Sequence, residues 1–187
     1  MMQSNGSRKG VTPVTSRRKR NLILTMKWGS YAMLLLLAAT LQSIPGFLQI
    51  AGVRPLFILP LCLAVAIYEG EYVGAFFGMA GGFLWDWTAG RIGGLMALGL
   101  LAVCFTASLV VELYLRVNFV NFILVSGACS LLMVTMDFLF YYLMPAYSGA
   151  MQRYFTVMLP MAVYTAVLSP IAMICVRWVK GHIVPEG

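Results

Sequence analysis

Acidic residues are the scarcest chemical resource in this sequence. There are six, and two of them, Asp86 and Asp137, fall inside or at the edge of long apolar runs. An ionisable side chain within hydrocarbon is costly to hold and marks a relay, a pathway or a buried pair. Asp137 lies about two helical turns from the end of its run and is expected to face other helices rather than lipid. Arg91 and Arg153 fall on the same side of the predicted arrangement as both aspartates, so one polar cluster is expected to hold Asp86, Arg91, Asp137 and Arg153. Asp86 either caps the helix that follows it or pairs with Arg91. Asp137 reads equally as half of a buried ion pair or as a protonated carboxyl making one hydrogen bond. Glu112 and Arg116, four apart, predict a local helix pair, and Glu69 and Glu71 are expected to stay solvated in a turn.

Catalytic readings find few residues to use. The single histidine, His182, is near the C-terminus, so no imidazole base is available at membrane depth for a nucleophile. The cysteines Cys62, Cys104, Cys129 and Cys175 have no CxxC spacing and no histidine beside them, which leaves a metal centre without ligands. They read as small buried hydrophobes. Two aspartates can form an acid–base dyad. However, the Gly-x-Gly-Asp pattern of one aspartyl class and the Asn-x-x-Asp pattern of lipoprotein signal peptidases are both missing. No phosphate-binding glycine loop is present either. No enzyme activity, metal or cofactor is expected.

The elements that must position these residues follow from composition. Of 187 residues, 61% are hydrophobic and 10% charged, against about a quarter charged in soluble domains. Lipid must be part of the solvent, and the fold class is an all-α integral membrane protein. A spanning helix needs about 20 mostly apolar residues. The candidate spans are Trp28 to Gln49, Pro55 to Tyr68, Gly70 to Trp87, Ile92 to Leu115, Phe119 to Leu143 and Tyr154 to Trp178. The second is short and carries Pro60, so it is expected to be kinked or to dip into one leaflet. The count is therefore a six-span bundle, or five as the fallback. Trp28, Tyr31, Tyr68, Tyr72, Trp85, Trp87, Tyr141, Tyr142, Tyr154 and Trp178 mark the interfaces. The chain divides into a disordered basic tail over 1–21, a membrane domain over 22–180 and a short tail over 181–187.

Net charge is +7. In a soluble protein that would suggest nucleic acid, but here the charge sits where topology signals belong, and no nucleic-acid partner is expected. Arg8, Lys9, Arg17, Arg18, Lys19, Arg20, Lys27, Arg116, Arg177 and Lys180 fall on one side, and Arg54, Arg91 and Arg153 on the other. This bias places both termini in the cytoplasm. The first span is too long for a cleaved signal peptide and no small-x-small site follows it, so it is read as retained. The basic tail is expected to serve topology or to adhere to anionic lipid.

The third span holds the most specific local pattern. Gly70, Gly74, Gly78 and Gly82 recur every fourth residue, with Asp86 next in the series. Residues four apart share a helix face, and small residues let helix backbones approach closely in lipid. This face is expected to pack against another helix of the chain, a partner protein or a second copy. The following Trp85-Asp86-Trp87-Thr88-Ala89-Gly90-Arg91-Ile92-Gly93-Gly94 reads as an outer turn.

The stretch from Val53 to Arg116 resembles the rod shape-determining protein MreD family of bacteria. The resemblance rests on Pro55, on Gly82-Phe83-Leu84-Trp85-Asp86 and on Gly90-Arg91-Ile92-Gly93-Gly94-Leu95-Met96-Ala97-Leu98. Two positions depart from the pattern: Leu56 stands where an acidic residue often follows the proline, and Met96 where a histidine is common. The resemblance implies a non-enzymatic component of the cell-elongation machinery in the bacterial cytoplasmic membrane. Its implied neighbours are MreC, MreB, RodA and a transpeptidase, and its implied role is to help place lateral peptidoglycan synthesis. It also gives the glycine ladder a partner-binding reading. The alternative is the substrate-binding subunit of a vitamin transporter, which has similar size and span number. Such subunits carry Ala-x-x-x-Ala in their first span; here Ala32, Ala38 and Ala39 are followed at the fourth position by Leu36, Gln42 and Ser43.

Overall fold

The computed structural model of the chain describes residues 17–50, 52–90, 93–144 and 149–183. Helix α1 runs Arg17–Ser43, α2 Ile58–Glu69, α3 Glu71–Ala89, α4 Leu95–Tyr114 and α5 Phe119–Phe138. A π-helical turn, Leu139–Leu143, continues α5. A short α6, Ala150–Arg153, a second π-helical turn, Tyr154–Met158, and α7, Leu159–Ile183, form one final rod. Among the described residues, four stretches are long and apolar enough to cross a membrane: Asn21–Ser43, Leu95–Tyr114, Phe119–Leu143 and Ala150–His182. The α2 helix, Ile58–Glu69, is apolar but shorter.

Helix α1 is displaced from the expected first span. It begins at Arg17, inside the segment read as tail, because Arg, Lys and Leu are good helix formers. It ends at Ser43 because Pro45 disfavours helical backbone at Ile44, so Phe47, Leu48 and Ile50 belong to an irregular connection. A single bridge between Ile50 and Val53 folds that connection on itself. Residues 1–16 and 184–187, which the sequence assigns to the two tails, lie outside the described residues, while Gly181 to Ile183 still belong to α7.

Helix α2 is the centre of the bundle. Every residue from Ile58 to Ala66 is buried, against α1, α3, α4 and α7. It is not kinked. Pro60 falls in the first turn, where no intrahelical N–H is needed. Its 12 residues make a rod of about 18 Å, well short of the roughly 30 Å of a bilayer core. Both its ends are therefore tied by side chains. At the start, the Leu56 N–H donates to Thr165 Oγ1 at 2.9 Å, and the Phe57 and Ile58 N–H groups donate to Gln42 Oε1 at 3.0 and 3.2 Å. At the finish, Ser108 Oγ donates to the Ala66 carbonyl at 2.9 Å and Lys180 Nζ to the Tyr68 carbonyl at 2.7 Å. Glu69 is not solvated, contrary to the sequence expectation. It forms an ion pair with Lys27 of α1 and accepts a hydrogen bond from the Tyr31 hydroxyl at 3.0 Å. These partners lie about 40 residues upstream, so no local signal foretold them.

Gly70 alone joins α2 to α3. Its φ of +98° is a conformation that side chains rarely tolerate, and it folds the two helices into a tight hairpin. The glycine face of α3 is filled from within the chain. A Cβ on Gly74 would lie 2.2 Å from Ala66 Cβ of α2. One on Gly78 would lie 2.8 Å from the Leu100 carbonyl oxygen, and one on Gly82 2.3 Å from Ala97 Cα, both in α4. Gly81, beside the ladder, would meet Cys62 Sγ at 2.5 Å.

The final rod accommodates prolines that hydropathy alone does not register. Pro170 cannot donate to the Ala166 carbonyl, and the Ser169 hydroxyl takes that acceptor instead at 2.7 Å. The widened π turn ends two residues before Pro160, which likewise has no N–H for the preceding turn. Ser130 of α5 donates to the Ala162 carbonyl at 3.1 Å and ties the last two spans together. The predicted pair of Glu112 and Arg116 does not form in this way, because α4 ends at Tyr114. The Arg116 carbonyl instead accepts from Asn121 Nδ2 at 2.9 Å.

Two stability outcomes follow. Gly82→Leu and Gly74→Leu should each destabilise the purified protein by at least about 1–3 kcal/mol through backbone overpacking. Gly29→Ala, with open space around its Cβ, should be neutral or gain up to about 1 kcal/mol. Thermal unfolding in detergent checks the contrast, and equal melting of Gly29→Ala and Gly82→Leu would refute it. Gln42→Leu, which removes the acceptor for two buried N–H groups, should cost about 1–3 kcal/mol, read by the same melt. A Gln42→Leu melt matching the parent's would show that the start of α2 finds other partners.

Candidate functional site

The residues singled out by chemistry divide between two places. The first is the turn between α3 and α4. Asp86 occupies the last turn of α3 and is 2% exposed. Its Oδ2 accepts a hydrogen bond from the Gly94 N–H at 2.8 Å. Gly94 is the residue that opens α4, so the carboxylate satisfies a free amide at a helix start and sits at the positive end of its dipole. Gly90 ends α3 in the left-handed conformation with φ +62°. Arg91 lies outside the described residues, and the Asp86 Oδ1 atom, buried, has no partner among those described. Of the two sequence readings of Asp86, capping is the one for which the structure supplies a bond.

The sequence pattern around Asp86 acquires a mechanical meaning from this arrangement. Gly82 lets α3 touch the backbone of α4 at Ala97. One turn later Asp86 bonds Gly94, the residue that caps the start of the same helix. The two contacts close one helical hairpin, so glycine, aspartate and the later glycine pair must keep their spacing together.

The second place is a cavity of about 530 Å³. It is bounded by the end of α1, the connection between α1 and α2, the end of α3, and both π-helical turns. Asp137, 8% exposed, forms part of its wall, and Arg153 lies on it as well. The Arg153 guanidinium stands 5.4 Å from the centroid of the Tyr142 ring. The sequence placed Asp137 and Arg153 in one cluster with Asp86 and Arg91. The structure brings Asp137 and Arg153 to the cavity together and leaves Asp86 outside its lining, although the adjacent Trp85 belongs to it.

Polar residues of the cavity that were not foreseen include Arg54 and Gln42. Arg54, counted only as a topology charge, lines it and donates from Nε to Gln49 Oε1 at 3.3 Å. Gln42, at the edge of an apolar run, lines it while holding the start of α2. A glutamine close to the end of an otherwise apolar span was the available signal. Among the described residues, no group of three or more His, Cys, Asp or Glu side chains is placed to hold a metal ion.

The family model for the rod shape-determining protein MreD matches residues 23–179. The match covers most of the sequence, and the chain belongs to that family. No curated protein and no solved structure matches it significantly. A prediction attaches to Asp86. Asp86→Ala, which removes the acceptor for Gly94, should cost about 1 kcal/mol or more, while Asp86→Asn, whose amide oxygen can still accept, should cost less. Comparing the two thermal midpoints checks the cap, and equal losses would assign the effect to the charge rather than to the hydrogen bond.

Proposed function

We propose that this member of the MreD family is a non-enzymatic membrane scaffold of the bacterial cell-elongation machinery. In this reading it crosses the cytoplasmic membrane six times with both termini on the cytoplasmic side, and it helps place lateral peptidoglycan synthesis by holding partner helices, among them an MreC-like protein. Family membership supports the role in rod shape. The observation that carries the scaffold reading is the division of α3 into two faces. The glycine face that sequence offered to a partner is occupied by α2 and α4. The opposite face carries Phe76, Phe83 and Trp87, at helical spacings of seven and four, and all three are exposed. Aromatic side chains are strong anchors for association, and this stripe needs no role in the fold. It is the proposed contact for a partner helix or a second copy.

A transport subunit remains the weaker reading, since the Ala-x-x-x-Ala docking pattern is absent from the first span.

The test uses Phe76→Ala combined with Phe83→Ala in the full chain. Thermal stability should stay within about 0.5 kcal/mol of the parent, as for exposed positions generally. Recovery of the MreC-like partner on co-purification should fall, and cells relying on the variant should lose rod shape. Unchanged recovery together with unchanged shape would leave this face to lipid. A stoichiometric vitamin retained on purification would remove the scaffold reading altogether.

A further inference from the structure

The cavity at the start of α2 has no part in closing the hairpin and no part in the proposed aromatic contact. Its volume, about 530 Å³, falls in the range of small-molecule sites. Its lining is divided by chemistry. Arg54 comes from the connection after α1 and Arg153 from the end of α6. Asp137 is the one carboxyl among the described lining residues, so their formal charges carry a surplus of positive charge. The positive end of the α2 dipole points the same way, with Pro55 and Leu56 in the lining. Val134, Val157 and Met158 supply the apolar part.

The backbone offers an independent indication. π-helical turns are rare and concentrate at functional sites. Among the described residues there are two, Leu139–Leu143 and Tyr154–Met158, and both send residues to this cavity, Tyr142 from the first and Val157 and Met158 from the second. The contact between Arg153 and the Tyr142 ring holds the guanidinium without consuming its N–H donors. A single carboxylate is satisfied by one guanidinium fork. Two arginines arriving from separate elements suit an anion with more oxygen acceptors, and a phosphate provides them.

We propose that this cavity binds an organophosphate anion, with Arg54 and Arg153 on the phosphate and the organic portion against Val134, Val157 and Met158. The phosphate can come from a phospholipid headgroup or from a water-soluble phosphate ester, and the test separates them.

The full chain, purified in maltoside detergent, is titrated with three probes: dihexanoylphosphatidylglycerol, glycerol phosphate and phosphate-free dihexanoylglycerol. Binding is read from tryptophan fluorescence, since Trp85 lines the cavity, and from the thermal midpoint. The phosphatidylglycerol should bind and raise the midpoint. Arg54→Gln and Arg153→Gln, made singly, should each weaken it roughly tenfold, while Arg116→Gln, outside the cavity, should leave it unchanged. Binding of the phosphatidylglycerol with little binding of glycerol phosphate assigns the site to a lipid headgroup. Comparable binding of both assigns it to a soluble ester. Dihexanoylglycerol binding as tightly as the phosphatidylglycerol would overturn the proposal, and that comparison needs only the parent protein. Failure of both phosphate probes to bind would overturn it too, as would binding that survives both arginine substitutions intact.

Discussion

A peptide group without a hydrogen-bond partner is too costly to leave in hydrocarbon, and this fold places both ends of a short helix at its centre. Helix α2 has to be met at each end by side chains from elsewhere. Gln42 and Thr165 accept from its first amides, and Ser108 and Lys180 donate to its last carbonyls. Those four residues sit on α1, α7, α4 and α7 in turn. The positions of three long helices around α2 are thus fixed by directional bonds. Apolar contact could not do this alone, because in lipid the hydrophobic effect gives one helix no preference for another helix over acyl chains.

Close packing then completes what the polar ends begin. Gly74 admits α2, and Gly78 and Gly82 admit α4, so α3 is held on two sides by backbone approach. Asp86 adds the one bond that fixes where along α3 the start of α4 must lie. The ladder is better described as the seam of a three-helix unit than as an open docking groove. This moves any association surface of α3 to its aromatic side, which a reading of small-residue spacing alone would not choose.

The all-helical character, the apolar stretches and the ladder were legible in the sequence because each is a local property of residue type and period. The start of α1 was misplaced because hydropathy ignores helix propensity in a basic segment such as Arg17 to Arg20, and its end because Pro45 counted for less than the apolar residues after it. The ion pair between Lys27 and Glu69 was hidden by sequence distance, and Glu69 read as solvated because only its neighbours in the chain could be weighed. The polar cluster was half legible. Helix order placed Asp137 and Arg153 at the same end of the bundle, but only rotation about the helix axes separates Asp86, turned to Gly94, from Asp137, turned to the cavity. That rotation is set by the packing of α3 on α4, which spacing suggests but does not fix.

The two ends of the same short helix differ. At the Glu69 end Lys27, Tyr31 and Lys180 converge on the turn into α3. The cavity lies at the other end, over Leu56. There the described residues of the connection, 44–50 and 52–57, and two widened turns border the space. Irregular backbone in a membrane protein persists where it is buried in protein or lines a polar space, and Gln42, Arg54, Asp137 and Arg153 make this space polar. One end of the bundle is sealed by an ion pair and the other holds an arginine-lined cavity. That asymmetry is a consequence of where a 12-residue helix was anchored.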